Sequence, residues 1–254
     1  IDDIIYESTL DPCCGIQQVL DTNKSITDGL LFIGTSAGET NTGANDVIGL
    51  GTDSAYGNSG IDVAAFGNNA AGANTGNDVA AIGNAAALNN TGNDVVAIGS
   101  NALAGNTGND SIGIGQNAGQ NQSGSDATLI GQGAGFNNTG VDVVAVGKSA
   151  GNTNTGDKLH ALGVLAGAGN TGDYVVALGS GAAQTNTGNY VIALGNAAGA
   201  SNTISAATII SNDCLPSYLN YAAAAAAIIA PGATTGTYLY HDQTTNSIGA
   251  VRIP

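Results

Sequence analysis

A column of acidic residues recurs every 16 residues along the chain, and it is the first candidate for binding chemistry. The column contains Asp46, Asp62, Asp78, Asp94, Asp110, Asp126 and Asp142, and it then changes to Lys158, Tyr174 and Tyr190. If successive members stack about 5 Å apart, their carboxylates repel one another, and a bound cation such as calcium would relieve that repulsion. The alternative is an exposed aspartate at the exit of each turn, which solvent screens. We expect this second arrangement and no cofactor, because no Glu lies nearby to complete a calcium cage.

A second column consists of hydroxyl residues and raises the question of ice binding. It contains Thr42, Ser59, Thr75, Thr91, Thr107, Ser123, Thr139, Thr155, Thr171 and Thr187. Flat threonine arrays that bind ice need two such rows in each coil, whereas here Asn and Gly flank a single row. We therefore expect hydroxyl and amide ladders along a turn rather than an ice-binding surface.

The residues that could support catalysis are few. His160 falls in a predicted strand and His241 lies beside Asp242, and neither has a partner at the spacing of a metal site or a catalytic triad. A glycan-cleaving spike needs two carboxylates about 5–9 Å apart in a groove, but a residue that recurs in every repeat does not mark a single site. The side chains that break the repeat, Lys148, Lys158 and His160, are better candidates. We do not expect an enzyme.

The three cysteines offer little redox chemistry. Cys13 and Cys14 are adjacent, and with Cys214 they make an odd number that is too small for a disulfide framework. Cys13 and Cys14 either are free buried thiols or form a disulfide between two chains at the end of a fibre.

Composition excludes several classes of partner. The 254 residues include 19 Asp and Glu against 4 Lys and Arg, which gives a net charge of −15. Nucleic acids and anionic membranes attract clusters of Lys or Arg, so neither is an expected partner. No apolar run approaches the roughly 20 residues that span a bilayer, so we expect no membrane insertion. Aromatic residues make up 4% of the chain whereas Gly occurs 40 times, and such a predominance of small residues suggests repetition.

The element that must position these columns is a short internal repeat. A glycine preceded by an apolar residue recurs at Gly34, Gly51, Gly67, Gly83, Gly99, Gly115, Gly131, Gly147, Gly163, Gly179 and Gly195. From Gly51 onward every interval is 16 residues, and the first interval is 17, with Ala44 as the inserted residue. Sixteen residues are too few for a helical repeat and suit one coil of a β-solenoid. Residues 34–203 therefore predict an all-β, parallel β-solenoid, or β-roll, of about eleven coils.

Each predicted coil contains a main strand and a turn. Residues 94–98 are rich in β-branched side chains and lie between glycines, which predicts a strand. The Asn-Thr-Gly-Asn-Asp run before them predicts a turn in which Gly92 is free to take positive φ. A second, shorter strand is predicted around an alanine column, which comprises Ala70, Ala86, Ala102, Ala118, Ala134, Ala150, Ala166, Ala182 and Ala198.

Both faces of the main strand are apolar. One face carries Ile82, Ile98, Ile114, Ile130, Val146, Leu162, Leu178 and Leu194, with residues such as Val96 beside them. The other face carries Val79, Val95, Val143, Val175 and Val191. A strand that faces water on one side alternates apolar with polar residues, so a strand that is apolar on both sides is buried twice. The coil interior buries one face, and the other must lie against something else, most simply another copy of the chain.

The unit Asp-Val-Val-Ala-Ile-Gly-x-x-Ala at residues 94–102 resembles the repeats of two families. It is similar to the Ser-Val-Ala-Ile-Gly-x-x-Ser/Ala repeat of the YadA-like heads of trimeric autotransporter adhesins. It also resembles the Asn-Thr-Gly/Ala-Leu-Gly-x-x-Ala repeats of phage and large-virus fibre proteins. The resemblance covers residues 34–203 and concerns a 16-residue variant of the repeat, with the extra length in the Asn-Thr-Gly turn. It implies a left-handed parallel β-roll that is assembled as a homotrimer.

The two ends depart from the repeat and are predicted to cap it, because an open terminal coil is an unpaired sheet edge. Residues 1–33 form an acidic N-terminal cap or attachment segment that ends in a first strand at 26–33. Residues 204–254 form the C-terminal cap. Within it we expect a strand at 204–211, a short Ala-rich helix at 217–230 and a hairpin of 237–241 with 247–253. The Tyr-Leu-Tyr-His-Asp-x-Thr-Thr stretch of that hairpin resembles the ends of phage and large-virus fibre proteins.

Together these features predict a structural protein. We expect a rigid, acidic fibre module on an extracellular, cell or virion surface, which associates with itself and adheres to a cell-surface receptor or a glycan. An alternative is a subunit of a head-to-tail extracellular filament, in which each terminal cap docks on the exposed coil edge of the next chain. A glycan-cleaving tailspike and an ice-binding solenoid are less favoured hypotheses.

Overall fold

The computed structural model describes residues 29–43, 46–210, 237–242 and 247–252, and its main feature is one parallel sheet of twelve strands in chain order. The strands are β1 (Leu31–Ile33), β2 (Val47–Leu50), β3 (Val63–Phe66), β4 (Val79–Ile82), β5 (Val95–Ile98), β6 (Ser111–Ile114), β7 (Ala127–Ile130), β8 (Val143–Val146), β9 (Leu159–Leu162), β10 (Val175–Leu178), β11 (Val191–Leu194) and β12 (Thr208–Ile210). No helix occurs among the described residues. The prediction of an all-β, parallel β-solenoid of about eleven coils is confirmed.

The 16-residue period of the sequence is also the register of the sheet. Between β4 and β5, Val79 pairs with Val95, whereas between β1 and β2 the offset is 17 and Leu31 pairs with Ile48. Residues of one column therefore stack on one another along the rod. At the usual spacing of about 4.8 Å between strands, the sheet extends over about 50 Å.

The prediction of a second strand around the alanine column is wrong, because that side of each coil is a run of turns. In the coil after β3, the N–H of Ala70 donates to the carbonyl of Gly67 at 3.4 Å, and the N–H of Gly72 donates to that of Asn69 at 3.2 Å. The third residue of each turn has positive φ, 54° at Asn69 and 48° at Ala71. This is the pattern of consecutive type II turns.

Hydrogen bonds between coils hold this turn ribbon in place. The N–H of Ala71 donates to the carbonyl of Ala86 in the following coil at 2.8 Å, and the N–H of Ala73 donates to that of Tyr56 in the preceding coil at 2.7 Å. Left-handed backbone costs a residue with a Cβ about 1–2 kcal/mol. The hydrogen bonds between coils offset that cost, because leaving a buried N–H group without a partner would cost about as much free energy. Each coil thus has a strand on one side and a turn ribbon on the other.

The core between strand and turn ribbon is narrow, and its largest side chains are matched by glycines. Leu103, Leu129 and Leu159 are completely buried at positions where most coils have a smaller residue. A Cβ on Gly113 would lie 2.7 Å from Leu103 Cγ, and one on Gly167 would lie 2.9 Å from two carbons of Leu159. Neighbouring coils therefore compensate one another in volume, as close packing requires.

Parts of the predicted ends can be compared with the structure. β1 and β12 occupy the C-terminal portions of the strands predicted at residues 26–33 and 204–211. Two further strands, β13 (Thr237–Asp242) and β14 (Ser247–Arg252), pair antiparallel where the hairpin is predicted. The predicted helix at 217–230 and most of the predicted N-terminal cap lie outside the described residues.

Candidate functional site

The outer face of the sheet is the largest candidate binding surface. Each strand buries one set of side chains, such as Val95 and Ala97, and presents the alternate set, such as Val96 and Ile98, on its outer side. Most of the predicted Ile and Leu column is more than a third exposed: Ile82, Ile98, Ile130, Leu162 and Leu178, with Ile114 and Leu194 half-buried. A long apolar surface of this kind is more often a contact with another protein than a surface that stays exposed to solvent.

The glycine column forms the corner between each strand and its turn ribbon. Gly67, Gly83, Gly99, Gly115, Gly131, Gly147, Gly163, Gly179 and Gly195 have φ between 110° and 137°. In addition, the corners stack closely, so that a Cβ on Gly115 would lie 2.7 Å from the carbonyl oxygen of Gly131. Positive φ and close backbone approach both require the missing side chain, which makes this column architectural.

The acidic column lies at the exit from each turn, immediately before the strand. Asp62, Asp78, Asp94, Asp110, Asp126 and Asp142 are exposed, with φ between 52° and 58°. Aspartate tolerates this left-handed backbone better than most residues, which explains why Asp recurs at this position. In the part of the chain that the structure describes, no group of three or more His, Cys, Asp or Glu side chains could hold a metal ion.

We expect removal of calcium to have little effect on the rod. A chelator should lower the melting temperature by less than about 2 °C, because an unbound ion contributes nothing to stability. Added salt should raise the melting temperature, because it screens the carboxylates and the net charge of −15. Thermal unfolding with and without chelator measures both effects. A loss of more than about 10 °C that calcium alone reverses would contradict the prediction.

A ladder of buried asparagines runs through the core; the sequence predicts amide ladders along the turn, but not that they are buried. One Asn of each turn is 5% exposed or less: Asn41, Asn58, Asn74, Asn90, Asn106, Asn138, Asn154, Asn170 and Asn186. The predicted Thr/Ser column follows directly and is exposed, in a single row. The sequence signal for the ladder is the repeated choice of Asn at a turn position where Asp, Ser or Gly would serve equally well in solvent.

Asn90 shows how an amide of the ladder satisfies all of its hydrogen-bonding groups. Asn90 Nδ2 donates to Asn74 Oδ1 in the preceding coil at 2.8 Å and to the carbonyl of Gly92 at 2.7 Å. Asn90 Oδ1 accepts from the N–H of Gly92 at 3.3 Å and from Asn106 Nδ2 at 2.8 Å. Aspartate has no donor and could not take this place. The ladder therefore joins successive coils inside the core and fixes the turn at each step.

Gln122 interrupts the ladder in the middle of the rod. Its Nε2 donates to Ser111 Oγ at 2.9 Å and to the carbonyl of Gly124, and its buried Oε1 accepts no hydrogen bond from any residue that the structure describes. Ser111 stands where most strands place a buried Val, Ala or Leu. The apolar core divides at this coil into one cluster that ends at Leu103 and another that begins at Ala127.

Repair of this coil should stabilise the rod. We expect Gln122→Asn combined with Ser111→Val to raise the free energy of unfolding by about 2 kcal/mol, because it removes an unpaired buried acceptor and adds apolar burial. Thermal unfolding and hydrogen exchange of residues 111–126 measure the effect. Ser111→Val alone is the control, since it removes one of the two acceptors of Gln122 Nε2 and should destabilise. An unchanged or lower stability of the double variant would show that the interruption is not a defect.

The side chains that replace the acidic column form an exposed cluster beside β9–β11. Lys158 Nζ donates to the Tyr174 hydroxyl at 3.1 Å and lies 4.5 Å from the centroid of that ring, and this hydrogen bond raises the pKa of Lys158. The rings of Tyr174 and Tyr190 stack with their centroids 4.7 Å apart. Lys158 and Tyr174, together with Asp142 and His160, line a shallow groove on the edge of the outer face.

The structure does not gather the proposed catalytic candidates into one site. Lys158 and His160 lie at the start of β9, whereas Lys148 follows Gly147 beyond the far end of β8. His241 lies in β13, and Cys13 and Cys14 lie outside the described residues. Across the residues that the structure describes, no helix is long and apolar enough to cross a membrane.

Comparisons with protein-family models, with curated proteins and with solved structures find no match.

Proposed function

We propose that this protein is a structural rod, a fibre module on an extracellular, cell or virion surface, and not an enzyme. The observation that carries the proposal is the continuous sheet of twelve strands, whose coils are joined by three sets of hydrogen bonds, one of which is interrupted at Gln122. These are the strand bonds, the bonds of the turn ribbon and the buried amide ladder. Bending or stretching such a stack must disturb all three sets at once, so the rod is stiff.

The exposed apolar face supports the second part of the proposal, that the rod is a homotrimer. Monomeric soluble proteins rarely expose contiguous apolar patches of more than a few hundred Å². Here exposed Ile and Leu side chains follow the sheet from Ile82 to Ile210. Copies gathered around a common axis would bury these faces against one another. The assembled fibre would present an adhesive contact for a cell-surface receptor or glycan.

A head-to-tail filament is the second candidate, and the ends of the sheet favour it. Among the described strands, β1 pairs only with β2, and β12 pairs only with β11. Each end therefore offers a row of backbone groups to another chain, which is the usual basis of strand addition.

Light scattering and electron microscopy of the full chain separate these candidates. A trimeric fibre gives a fixed mass of three chains of 24.6 kDa and discrete rods of about 50 Å or more. Indefinite filaments would favour the head-to-tail assembly. A stable, folded monomer at micromolar concentration would overturn both forms of self-association.

Substitution on the outer face tests the surface itself. Ile98→Lys combined with Ile130→Lys should abolish assembly, because each change places a charge in an apolar contact. Both positions are exposed in the single chain, so its fold should persist. Thr91→Lys, on the exposed hydroxyl column, is the matched control and should leave the assembly intact.

A further inference from the structure

The two margins of the outer sheet face differ in their chemistry. The acidic margin consists of the residues that precede the strands β2–β8: Asp46, Asp62, Asp78, Asp94, Asp110, Asp126 and Asp142. The donor margin consists of the residues that follow the corner glycines of the same strands: Thr52, Asn68, Asn84, Ser100, Gln116, Gln132 and Lys148. All of these side chains are exposed except Ser100, which is half-buried. One margin therefore offers only acceptors, and every member of the other carries a hydrogen-bond donor.

We propose that copies of this chain cover the outer face in parallel and in register, so that the acidic margin of one copy lies against the donor margin of the next. In this arrangement Asp142 forms an ion pair with Lys148 of the next copy, because the two residues flank the same strand, β8. The inference rests on the proposed self-association and adds the orientation and the residues that set it.

Symmetry limits which margins can meet. Rotation about an axis parallel to the rod, for two copies or for three, brings opposite margins together at the same height. An antiparallel arrangement instead brings each margin against itself, with the order of strands reversed. Around the middle of the twelve strands it would place Asp94 opposite Asp142 and Asp110 opposite Asp126. Like charges in such positions oppose association, whereas the parallel arrangement places carboxylates opposite donors.

The last coils limit this pairing of margins to the strands β2–β8. Beyond β8 the acidic margin becomes Lys158, Tyr174 and Tyr190, whereas the donor margin continues as Val164, Ser180 and Asn196. Tyr174, Tyr190 and Val164 are each between 46% and 61% exposed. No carboxylate belongs to either margin in these coils, so the contacts that set the orientation lie along β2–β8.

The size of the face is sufficient for a stable contact. It is about 50 Å long and about 15 Å wide, on the order of 750 Å² for each copy, if strands have their usual dimensions. A standard interface between two proteins buries about 800 Å² on each partner and has an apolar centre with a polar rim. The outer face likewise has apolar columns at its centre and polar margins at its rim.

Carbodiimide cross-linking of the full chain tests the orientation directly. The reagent joins a carboxylate to an amine as an amide and takes up the lost water as it becomes a urea. Within one chain Asp142 and Lys148 lie at opposite ends of β8, about 20 Å apart in extended backbone, so only separate copies can form this link. We expect covalent oligomers on a denaturing gel and a peptide that joins Asp142 to Lys148. Lys148→Arg is the matched control, because arginine keeps the ion pair but does not couple; it should assemble normally and lose the link.

Charge exchange gives an independent test. Asp142→Lys and Lys148→Asp should each weaken assembly about tenfold, and the double variant should recover most of the loss. Lysine should be tolerated at position 142, since Lys158 occupies the equivalent position one coil later. If Asp142→Lys strengthens assembly, or if an oligomer forms without the Asp142–Lys148 link, the parallel orientation is wrong while self-association stands. A monomer in light scattering would instead overturn the self-association on which the inference rests.

Discussion

Gly115→Val is expected to lower the free energy of unfolding by about 3–5 kcal/mol, the scale of an overpacked core combined with strained backbone. Gly115 has a φ of 127°, and a Cβ there would lie 2.7 Å from the carbonyl oxygen of Gly131. That oxygen belongs to backbone and cannot move aside without shifting the next coil. Because each coil contacts mainly its two neighbours, the loss should centre on the coils of β6 and β7 and uncouple the rod into two halves.

The position of the substitution should decide how far the damage spreads. Gly51→Val meets the same obstacle, with the carbonyl oxygen of Gly67 at 2.5 Å from the added Cβ, but it lies near the N-terminal end of the sheet. It should fray the first coils and leave β6–β11 protected from hydrogen exchange. Gly133→Asn is the control, since its Cβ would make only an ordinary contact with Ser149 Oγ at 3.6 Å, and Asn occupies the equivalent position at Asn69. Uniform loss of protection in both valine variants would contradict coil-by-coil stability.

Asn90→Ala is expected to cost about 4 kcal/mol, because several buried groups lose their partners at once. The N–H and the carbonyl of Gly92 lose the amide that binds them, and Asn74 Oδ1 and Asn106 Nδ2 lose their link across the coil. Hydrogen exchange should show the greatest loss in residues 74–108. Asn90→Asp should be at least as harmful, since the carboxylate supplies no donor and is buried.

The neighbouring residue provides the control for this prediction. Thr91 is exposed, and Thr91→Ala should change stability by less than about 0.5 kcal/mol. If Thr91→Ala and Asn90→Ala cost the same, the ladder contributes no more than an ordinary surface turn.

The main strand and its register could be predicted because they follow from spacing and side-chain type. A fixed interval between corner glycines and an alternation such as Val95-Val96-Ala97-Ile98 leave few alternatives to stacked parallel strands. The face that is buried could not be derived in the same way, since both faces are apolar. The structure resolves it through size: most inner positions hold Val and Ala, with Leu129 and Leu159 as exceptions, whereas the outer column holds mainly the longer Ile and Leu.

The turn ribbon and the burial of the amide ladder could not be predicted, for two physical reasons. Alanine has no preference for left-handed backbone, so Ala71 and Ala73 give no sign of their positive φ until bonds between coils compensate its cost. The sequence of a turn does not distinguish a buried Asn from an exposed one. Asn90 is buried only because the preceding and following coils supply Asn74 and Asn106 as partners.

Because each coil contains one repeat, the number of repeats that the gene encodes sets the length of the rod. An in-frame duplication or deletion of a single repeat would change the sheet by one strand, or about 4.8 Å, and would leave every column in line. Junctions are not all equivalent, however, because Leu103 fits only beside a glycine such as Gly113 in the next coil. Recombination between Gly67 and Gly99, where the coils carry only small core residues, should therefore yield longer or shorter rods that fold, whereas a junction between Leu103 and Gly113 should not.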